Sequence, residues 1–414
     1  MTKQNAVFFQ IYVLPDQVTA VTDVLNSGGN PNPNDSFFAF SKMADVHFAR
    51  WLVVPANEKY GASLIYAANI DGTADDHIND IVDKLPDGLD KILSHCKDYP
   101  VEGQRTRASR LAYLMKHKQK TPGFYVGAPN RSVSQIKNER KMQTALQQFV
   151  KGNGQNWKTS KEAYAAIKKH VAEDPEFDWA REKYHLPRKR FVKMFFFVIL
   201  LLMILPFLAI YVVIIHFFYE SKAKSFGKSV NQIDPKHMAP LKEQEDKIYQ
   251  NQLSQVFETK SGLRKVGLKF FLWFTSFTAS NWFVGGQLLG TPTIHFARWV
   301  YIDNGSRFVF FSNFDGSFDE YLGDFVDNSG WGLNAIYGAS VGYPKTVYVF
   351  GGGAYKISEF MGWGRLTQVP TQIWYSAYPW TGLQQVVSNS HLRASLFNSG
   401  ELNDKEIKEV LRRI

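Results

Sequence analysis

Residues 46–54 read "VHFARWLVV" and residues 294–302 read "IHFARWVYI". The shared HFARW belongs to a longer correspondence. From Asp71 to Pro100 and from Asp315 to Pro344 the chain runs in step with itself without a gap. The matches include Asp71/Asp315, Gly72/Gly316, Asp75/Asp319, Asp80/Asp324, Asp83/Asp327, Gly88/Gly332, Leu89/Leu333, Tyr99/Tyr343 and Pro100/Pro344, with Asn69/Asn313 just upstream. A weaker echo sets "FYVGAP" (124–129) against "WYSAYP" (374–379). Spacing held this way marks an internal duplication.

Each copy reads as strand, turn, strand, helix. "VHFARWLVVP" and "GASLIYAANI" are rich in aromatic and β-branched residues and bounded by polar turns. "DGTADDHINDIVDKL" opens on a capping pattern, Thr73 with Asp76 three residues on, as Ser317 is followed by Glu320. Ile78, Ile81, Val82 and Leu85 then fall at helical spacing. A further strand follows at "GFYVGA" and at "TQIWYSAY". In copy one the strand "AVFFQIYVL" and the helical "PDQVTAVTDVL" come first; in copy two only "QLSQVFE", residues 252–258, can supply that strand. The sum is βαββαβ, the ferredoxin-like unit. Its open sheet face needs cover. The expected fold is therefore α+β, two ferredoxin-like repeats forming a pseudo-dimeric α/β barrel around a cavity, each repeat closed by its own last strand.

Between the copies lies "MFFFVILLLMILPFLAIYVVIIHFFY", residues 194–219, without a formal charge. As a helix it is about 39 Å long, enough to cross a ~30 Å hydrocarbon core. Lys and Arg flank both ends: Arg181, Lys183, Arg188, Lys189, Arg190 and Lys193 before, Lys222, Lys224 and Lys228 after. Two basic ends give no orientation by the positive-inside rule and suit contact with one anionic leaflet. Paired half-barrels must share a compartment, so a re-entrant or monotopic hairpin turning at Pro206 is the expected topology, with a single span as the alternative. Residues 262–286, "GLRKVGLKFFLWFTSFTASNWFVGG", read as an interfacial aromatic helix, with a core helix of the second domain or a second span as the alternatives. The expected organisation is a first repeat at 1–150, a basic helical linker at 151–193, the membrane segment at 194–219, a polar linker at 220–261, the aromatic helix at 262–286, and the second repeat with C-terminal helices at 287–414.

A net charge of +10 calls for an anionic partner. Because the basic residues gather beside the membrane segment, membrane lipid is the expected partner and nucleic acid is not. The lone cysteine, Cys96, excludes an internal disulfide and Cys-based zinc sites. The start "MTKQNAVFFQIYVLPDQ" carries no signal-peptide pattern. The expected location is the inner (cytoplasmic) membrane with both repeats on the cytoplasmic side; homo-oligomerisation is left open.

The pattern "PTIHFARW…FFSNFDGS…YLGDF…GYP…VPTQIWYSAYP" over residues 291–379, with "EDKIYQNQLSQV" at 245–256, resembles an uncharacterised bacterial membrane-associated family with a tandem dimeric α/β barrel. That family in turn resembles the superfamily of dye-decolourising peroxidases, chlorite dismutases and small monooxygenases. The peroxidase motif G-x-x-D-G is met only in its Asp-Gly, since Ala68 and Ser312 stand at its first glycine. The resemblance implies a barrel fold and, through the peroxidases, haem and oxidative chemistry.

Strand alternation sets His47, Ala49 and Trp51 on one face and Phe48 and Arg50 on the other, and likewise in copy two. Arg50 and Arg298 are expected at the cavity, with Asp71 and Asp315 as counter-ions. Such a pair binds an anion or polarises peroxide, or else only clamps a hairpin. His295 joins these four as a catalytic candidate. His391 on a C-terminal helix, with Trp374 and Tyr375 lining an apolar pocket, would serve a cofactor such as haem. Asn251 and Gln252 are polar cavity groups or a solvated helix face. No metal spacing, P-loop or nucleophile elbow is present. The expected function is a membrane-anchored α/β-barrel protein taking a hydrophobic or lipid-derived small molecule into its cavity and, if an enzyme, oxidising it. The alternatives are a haem-dependent peroxidase-like enzyme and a non-catalytic membrane scaffold or lipid-binding module.

Overall fold

The computed structural model describes residues 3–28, 37–182, 184–246, 248–397 and 400–414. Up to the apolar segment the chain forms β1 (Gln4–Tyr12), α1 (Val18–Ser27), β2 (Val46–Val54), β3 (Ser63–Asp71), α2 (Ala74–Lys84), α3 (Pro86–Leu93), α4 (Arg107–His117), β4 (Gly123–Val126), α5 (Val133–Asn153) and α6 (Ser160–Glu173). The segment itself is α7 (Phe191–Ile214), and after it come α8 (Pro235–Gln244), β5 (Gln250–Glu258), α9 (Leu263–Asn281), β6 (Ile294–Ile302), β7 (Arg307–Asp315), α10 (Phe318–Tyr337), the short β8 (Thr346–Val347) and β9 (Gly351–Gly352), α11 (Ile357–Thr367), β10 (Ile373–Ser376), α12 (Leu383–Phe397) and α13 (Asp404–Leu411). Helix at 54% and strand at 19%, with antiparallel sheets, make the protein α+β.

The two large sheets have the orders β1-β3-β2-β10 and β4-β6-β7-β5. Residues 252–258 do supply the second first strand, as part of β5: Gln250 lies opposite Asp315 as Gln4 lies opposite Asp71. The last strands depart from expectation, because each half lends its own to the other. β10 pairs with β2 and β4 with β6, in the same register, Ile373 opposite Trp51 and Gly123 opposite Trp299. Both acceptor strands carry HFARW, so local sequence offers either donor the same partner.

The inner faces of the sheets meet. Phe8, Leu52, Val54, Ile65 and Ala67 pack on Val300, Ile302, Val309 and Phe311, with the Phe8 and Phe311 rings 6.0 Å apart. The centre expected to be hollow is filled, because large apolar residues occupy the inward positions of both sheets. The outer face of the first sheet, including Trp51 and Tyr66, is covered from α1, α2 and α3; that of the second, including Trp299 and Phe310, from α9, α10 and α11. The helix caps form as read: Thr73 accepts from Asp76 N, and Ser317 and Glu320 close a capping box.

α7 runs straight through Pro206 and ends in a π-helical turn, Ile215–Glu220, so the turn expected at Pro206 does not form. Its neighbours keep helical backbone, and only the one hydrogen bond that proline cannot donate is lost. The 30 residues Phe191–Glu220, with mean hydropathy 3.2 in the most apolar window, are the one helix among the described residues long and apolar enough to cross a membrane. α7 lies antiparallel along α9. Phe191 meets Trp282, Phe197 sits among Trp273, Phe274 and Phe277, and Glu220 reaches Arg264. Tyr211 covers Gly267, where a Cβ would collide with its hydroxyl. The expected aromatic helix is thus α9, a middle layer burying Leu268, Phe271 and Leu272 toward the second sheet.

Candidate functional site

A β-bulge interrupts the pairing of β2 with β3 between Val46 and Phe48, and a second one that of β6 with β7 between Ile294 and Phe296. A bulge inserts one residue and shifts side-chain alternation. The inserted residues are His47 and His295. Their rings therefore turn toward the opposite half instead of sharing a face with Trp51 and Trp299: His47 lies 5.2 Å from Phe296, and His295 5.4 Å from Phe48. Alternation without the bulge had separated each histidine from its arginine, and this reading is corrected.

The expected Arg–Asp pairs do not form. Asp71 binds His47 (Oδ1 to Nε2, 3.0 Å) and accepts from Val133 N, the first residue of α5 (2.8 Å). Asp315 binds His295 (2.8 Å) and accepts from Leu383 N, the first residue of α12 (2.7 Å). Each carboxylate thus joins a strand end to a helix N-terminus, where the partial positive charge favours an anion. Gly72 and Gly316 follow at φ +81° and +83°, a backbone region open to glycine. The duplicated Asp-Gly therefore has a structural use in both halves.

Arg50 and Arg298 are buried and point across the sheet interface, away from these aspartates. Arg50 donates to Gln252 Oε1, Leu253 O, Ser254 Oγ, Ser312 O and Asn313 Oδ1. Arg298 donates to Val7 O (2.7 Å), Ala68 O (2.6 Å) and Asn69 Oδ1. Every one of these acceptors is neutral. Burial, and then the charge of Arg298, push Arg50 well below the usual guanidinium range. Each arginine ties its own sheet to the edge and neighbouring strands of the other. A carboxylate could not take that place without forgoing its helix N-terminus.

One group breaks the two-fold pattern. Tyr378 hydroxyl lies 2.8 Å from His47 Nδ1, whereas its counterpart in the first copy is Ala128. A carboxylate only accepts, so His47 donates from Nε2, and in the neutral ring Nδ1 accepts from the tyrosine. Burial, then Asp71 and Asp315, hold the Tyr378 phenol well above its ordinary range. The hydrogen-bonded chain Tyr378–His47–Asp71 meets Phe48 and Phe296 rather than open space.

The remaining candidates scatter. Trp374 donates its indole N–H to Asn313 Oδ1 (2.9 Å), beside Arg50. Tyr375 points the other way, stacked on Phe40 in the core of the first sheet. His391 lies on α12, half-buried, its imidazole lowered by burial and then by Arg413 and Arg131. It therefore does not join the pocket expected with Trp374 and Tyr375. These surroundings do not fit a haem. Both nitrogens of His47 are engaged, His295 Nε2 is held by Asp315 with its ring against Phe48 and Tyr378, and the space between the sheets is packed. Among the described residues no cluster of three His, Cys, Asp or Glu could hold a metal ion.

Sequence reading missed an apolar crevice between α9 and α10. Phe271, Phe274, Leu288, Leu289, Phe325 and Ile336 line it, with Trp331 and Phe283, and Thr275, Thr278, Ser329 and Tyr337 add hydroxyls. Phe274 also touches Phe197 of α7, at 5.6 Å between rings. The signal available was the aromatic run of residues 270–283, which names rings but not the helix they face. No family model, curated protein or solved structure matches this chain.

Proposed function

We propose that this is a membrane-anchored protein whose two halves are ferredoxin-like repeats of a pseudo-dimeric α/β barrel, and that it binds a hydrophobic, lipid-derived molecule. The crevice between α9 and α10 carries the reading. It is almost wholly apolar, it lies beside the helix most suited to a bilayer, and Trp331, 39% exposed, stands at its lining. Aromatic rings favour the headgroup boundary. The ligand site is thus placed outside the packed interior of the barrel.

Topology supports the anchor. The halves before and after α7 share both sheets, so they lie on one side of any membrane. α7 is tied to the same body at both ends, by Arg190 N to Asn281 O (2.9 Å) and by Glu220 to Thr346 and Val349. A helix so held lies in the leaflet with its free face, Phe195, Phe196, Leu202, Met203 and Phe207 among others, toward the acyl chains. The basic residues at its two ends then meet the same anionic leaflet, which supports the cytoplasmic side of the inner membrane.

Gly332 tests the crevice. A Cβ there meets Leu289 at 3.7 Å, an ordinary contact, so a longer side chain enters the crevice without disturbing α10. Gly332→Leu should fold at least as well, since leucine favours helix by about 1 kcal/mol over glycine. It should reduce co-purified lipid, quantified by mass spectrometry against protein, at least fivefold. Undiminished lipid in a folded Gly332→Leu protein overturns the reading.

A further inference from the structure

A second, chemically opposite cavity opens where edge strand β5 of one sheet faces edge strand β10 of the other. It is a cleft of about 790 Å³ reaching from this seam to α1 and α8. Among the described residues that line it, Glu243 is the one charged side chain; the polar lining is otherwise Thr22, Asn26, Gln244, Gln250, Asn251, Gln252, Thr371, Gln372 and Ser376. Trp374 forms an aromatic wall. Its ring is held by stacking on Phe48 at 6.3 Å and 21° and by the hydrogen bond to Asn313.

The duplication supplies an internal control. The matching seam is formed by β1 and β4. Register equates Gln252 with Ala6, Ser254 with Phe8, Trp374 with Phe124 and Ser376 with Val126. Gln250, Asn251 and Thr371 match Gln4, Asn5 and Thr121, but at these four positions the fold builds the seam from apolar residues in one place and from amide, hydroxyl and indole groups in the other. Polarity there is not needed to make the seam, and buried polar groups cost stability unless they are paired. Gln252 is nearly buried and uses only its oxygen within the protein, accepting from Arg50, Ser254 and Thr371. Its amide N–H groups have no acceptor among the described residues and are left to the cleft. Arg50 orients that amide from beneath while its own charge is spent on neutral acceptors inside the sheets.

We propose that the β5–β10 seam binds a neutral, polyhydroxylated ligand: a sugar ring, free or as the headgroup of a glycolipid. Amides and hydroxyls match hydroxyl groups in both donor and acceptor sense, and a fixed indole matches the apolar C–H face of a sugar ring. Anionic ligands are disfavoured because Glu243 repels them and no cation reaches the cleft from the described residues, while a single carboxylate at its rim leaves the amide and hydroxyl lining itself neutral. The inference stands apart from the apolar crevice, which lies on the opposite, outer side of the second sheet.

The test uses the full chain in phosphatidylcholine nanodiscs. Glucose, maltose and N-acetylglucosamine are titrated in solution by saturation-transfer NMR and tryptophan fluorescence, and discs doped with monogalactosyl diacylglycerol provide the lipid-borne arm. The decisive variant is Gln252→Ala with Ser254→Phe, which writes the β1 residues into β5. It leaves Arg50 with Leu253 O, Ser312 O and Asn313, the same three kinds of partner that serve Arg298. If it does not fold, Trp374→Phe, matched by Phe124, carries the same test. Saturable binding in either arm that weakens at least tenfold in the variant supports the proposal, and the arm that binds identifies the source. No saturable binding in either arm, binding unchanged in the variant, or tighter binding of glucuronate or glucosamine than of glucose overturns it.

Discussion

Replacing Arg298 with methionine asks what a buried cation does when every partner is neutral. Arg298 is 3% exposed, and the change would orphan Val7 O, Ala68 O and Asn69 Oδ1. An unsatisfied buried acceptor costs about 1–3 kcal/mol, so the loss is about 3–9 kcal/mol gross. Against it stands relief from burying a guanidinium, which burial already pushes down to about 9. All its partners are neutral, so no unpaired charge is left behind and this relief offsets part of the gross loss. Arg298→Met should therefore lower stability by about 3–5 kcal/mol, the lower part of that range, read as a shift of the urea midpoint at constant slope.

A double-mutant cycle sharpens the test, because Arg298 and Arg50 repel. Each single change loses its own contacts but relieves that repulsion. The double change relieves it only once. Arg50→Met with Arg298→Met must then be worse than the sum of the singles by the repulsion energy. For two buried guanidinia at an effective dielectric near 20 this is on the order of 1 kcal/mol. Additive singles, or a double variant milder than their sum, would show that the cations do not oppose each other and would refute the reading of two unneutralised guanidinia.

Lys260 should make stability depend on pH. Burial and then Arg264 lower its ammonium from 10.5 to about 8, against the pull of Glu220. The unfolded chain binds the extra proton between these values, so stability rises with pH from about 8 to 10.5, by at most about 3 kcal/mol for a fully realised shift. Lys260→Met should stabilise below pH 8 and abolish that rise; a rise that persists in the variant assigns it elsewhere. Asp315→Asn should cost about 2–4 kcal/mol in thermal or urea unfolding, from a charge-assisted hydrogen bond and a helix N-terminus together, and at least as much as Asp71→Asn, whose side chain is more exposed. In a Cys96→Ser background, single cysteines at Glu58 and Asn304, in the equivalent hairpins, should label alike with an impermeant thiol reagent on intact cells; opposite labelling refutes the in-leaflet placement of α7.

The strands, the capped helices and the missing first strand at 252–258 were legible because each is written in local periodicity and register. Three features were not. The exchange of β4 and β10 was hidden because both acceptors carry HFARW, and a repeat cannot say which of its copies a strand will choose. The histidines were assigned to the wrong face because one inserted residue at each bulge undoes alternation, and HFARW shows no sign of the insertion. The Arg–Asp pairing was wrong because both aspartates find backbone N–H groups at helix starts more than sixty residues downstream in sequence, beside the bulged histidines (Asp71 to Val133, |i−j| = 62; Asp315 to Leu383, |i−j| = 68). Arg50 and Arg298 were expected at a cavity, and Gln252 was left between a cavity group and a solvated helix face, because what surrounds them is set by residues of the opposite sheet.

Strand exchange also constrains how the duplicated halves have diverged. Each sheet contains three strands of its own half and one of the other, so neither half completes a sheet alone. The positions shared by both copies are the ones this arrangement uses twice: Arg50 and Arg298 spanning the sheets, Asp71 and Asp315 seating α5 and α12, Trp51 and Trp299 in the outer cores. Differences therefore concentrate where symmetry makes no demand. In the second half, β5 and β10 turn polar at their seam, Tyr378 replaces the small Ala128, and α9 with α10 opens the apolar crevice beside α7. A substitution at a symmetric position should thus damage folding in either half. One at Gln252, whose equivalent in the same molecule is the apolar Ala6, should leave folding intact while removing a ligand.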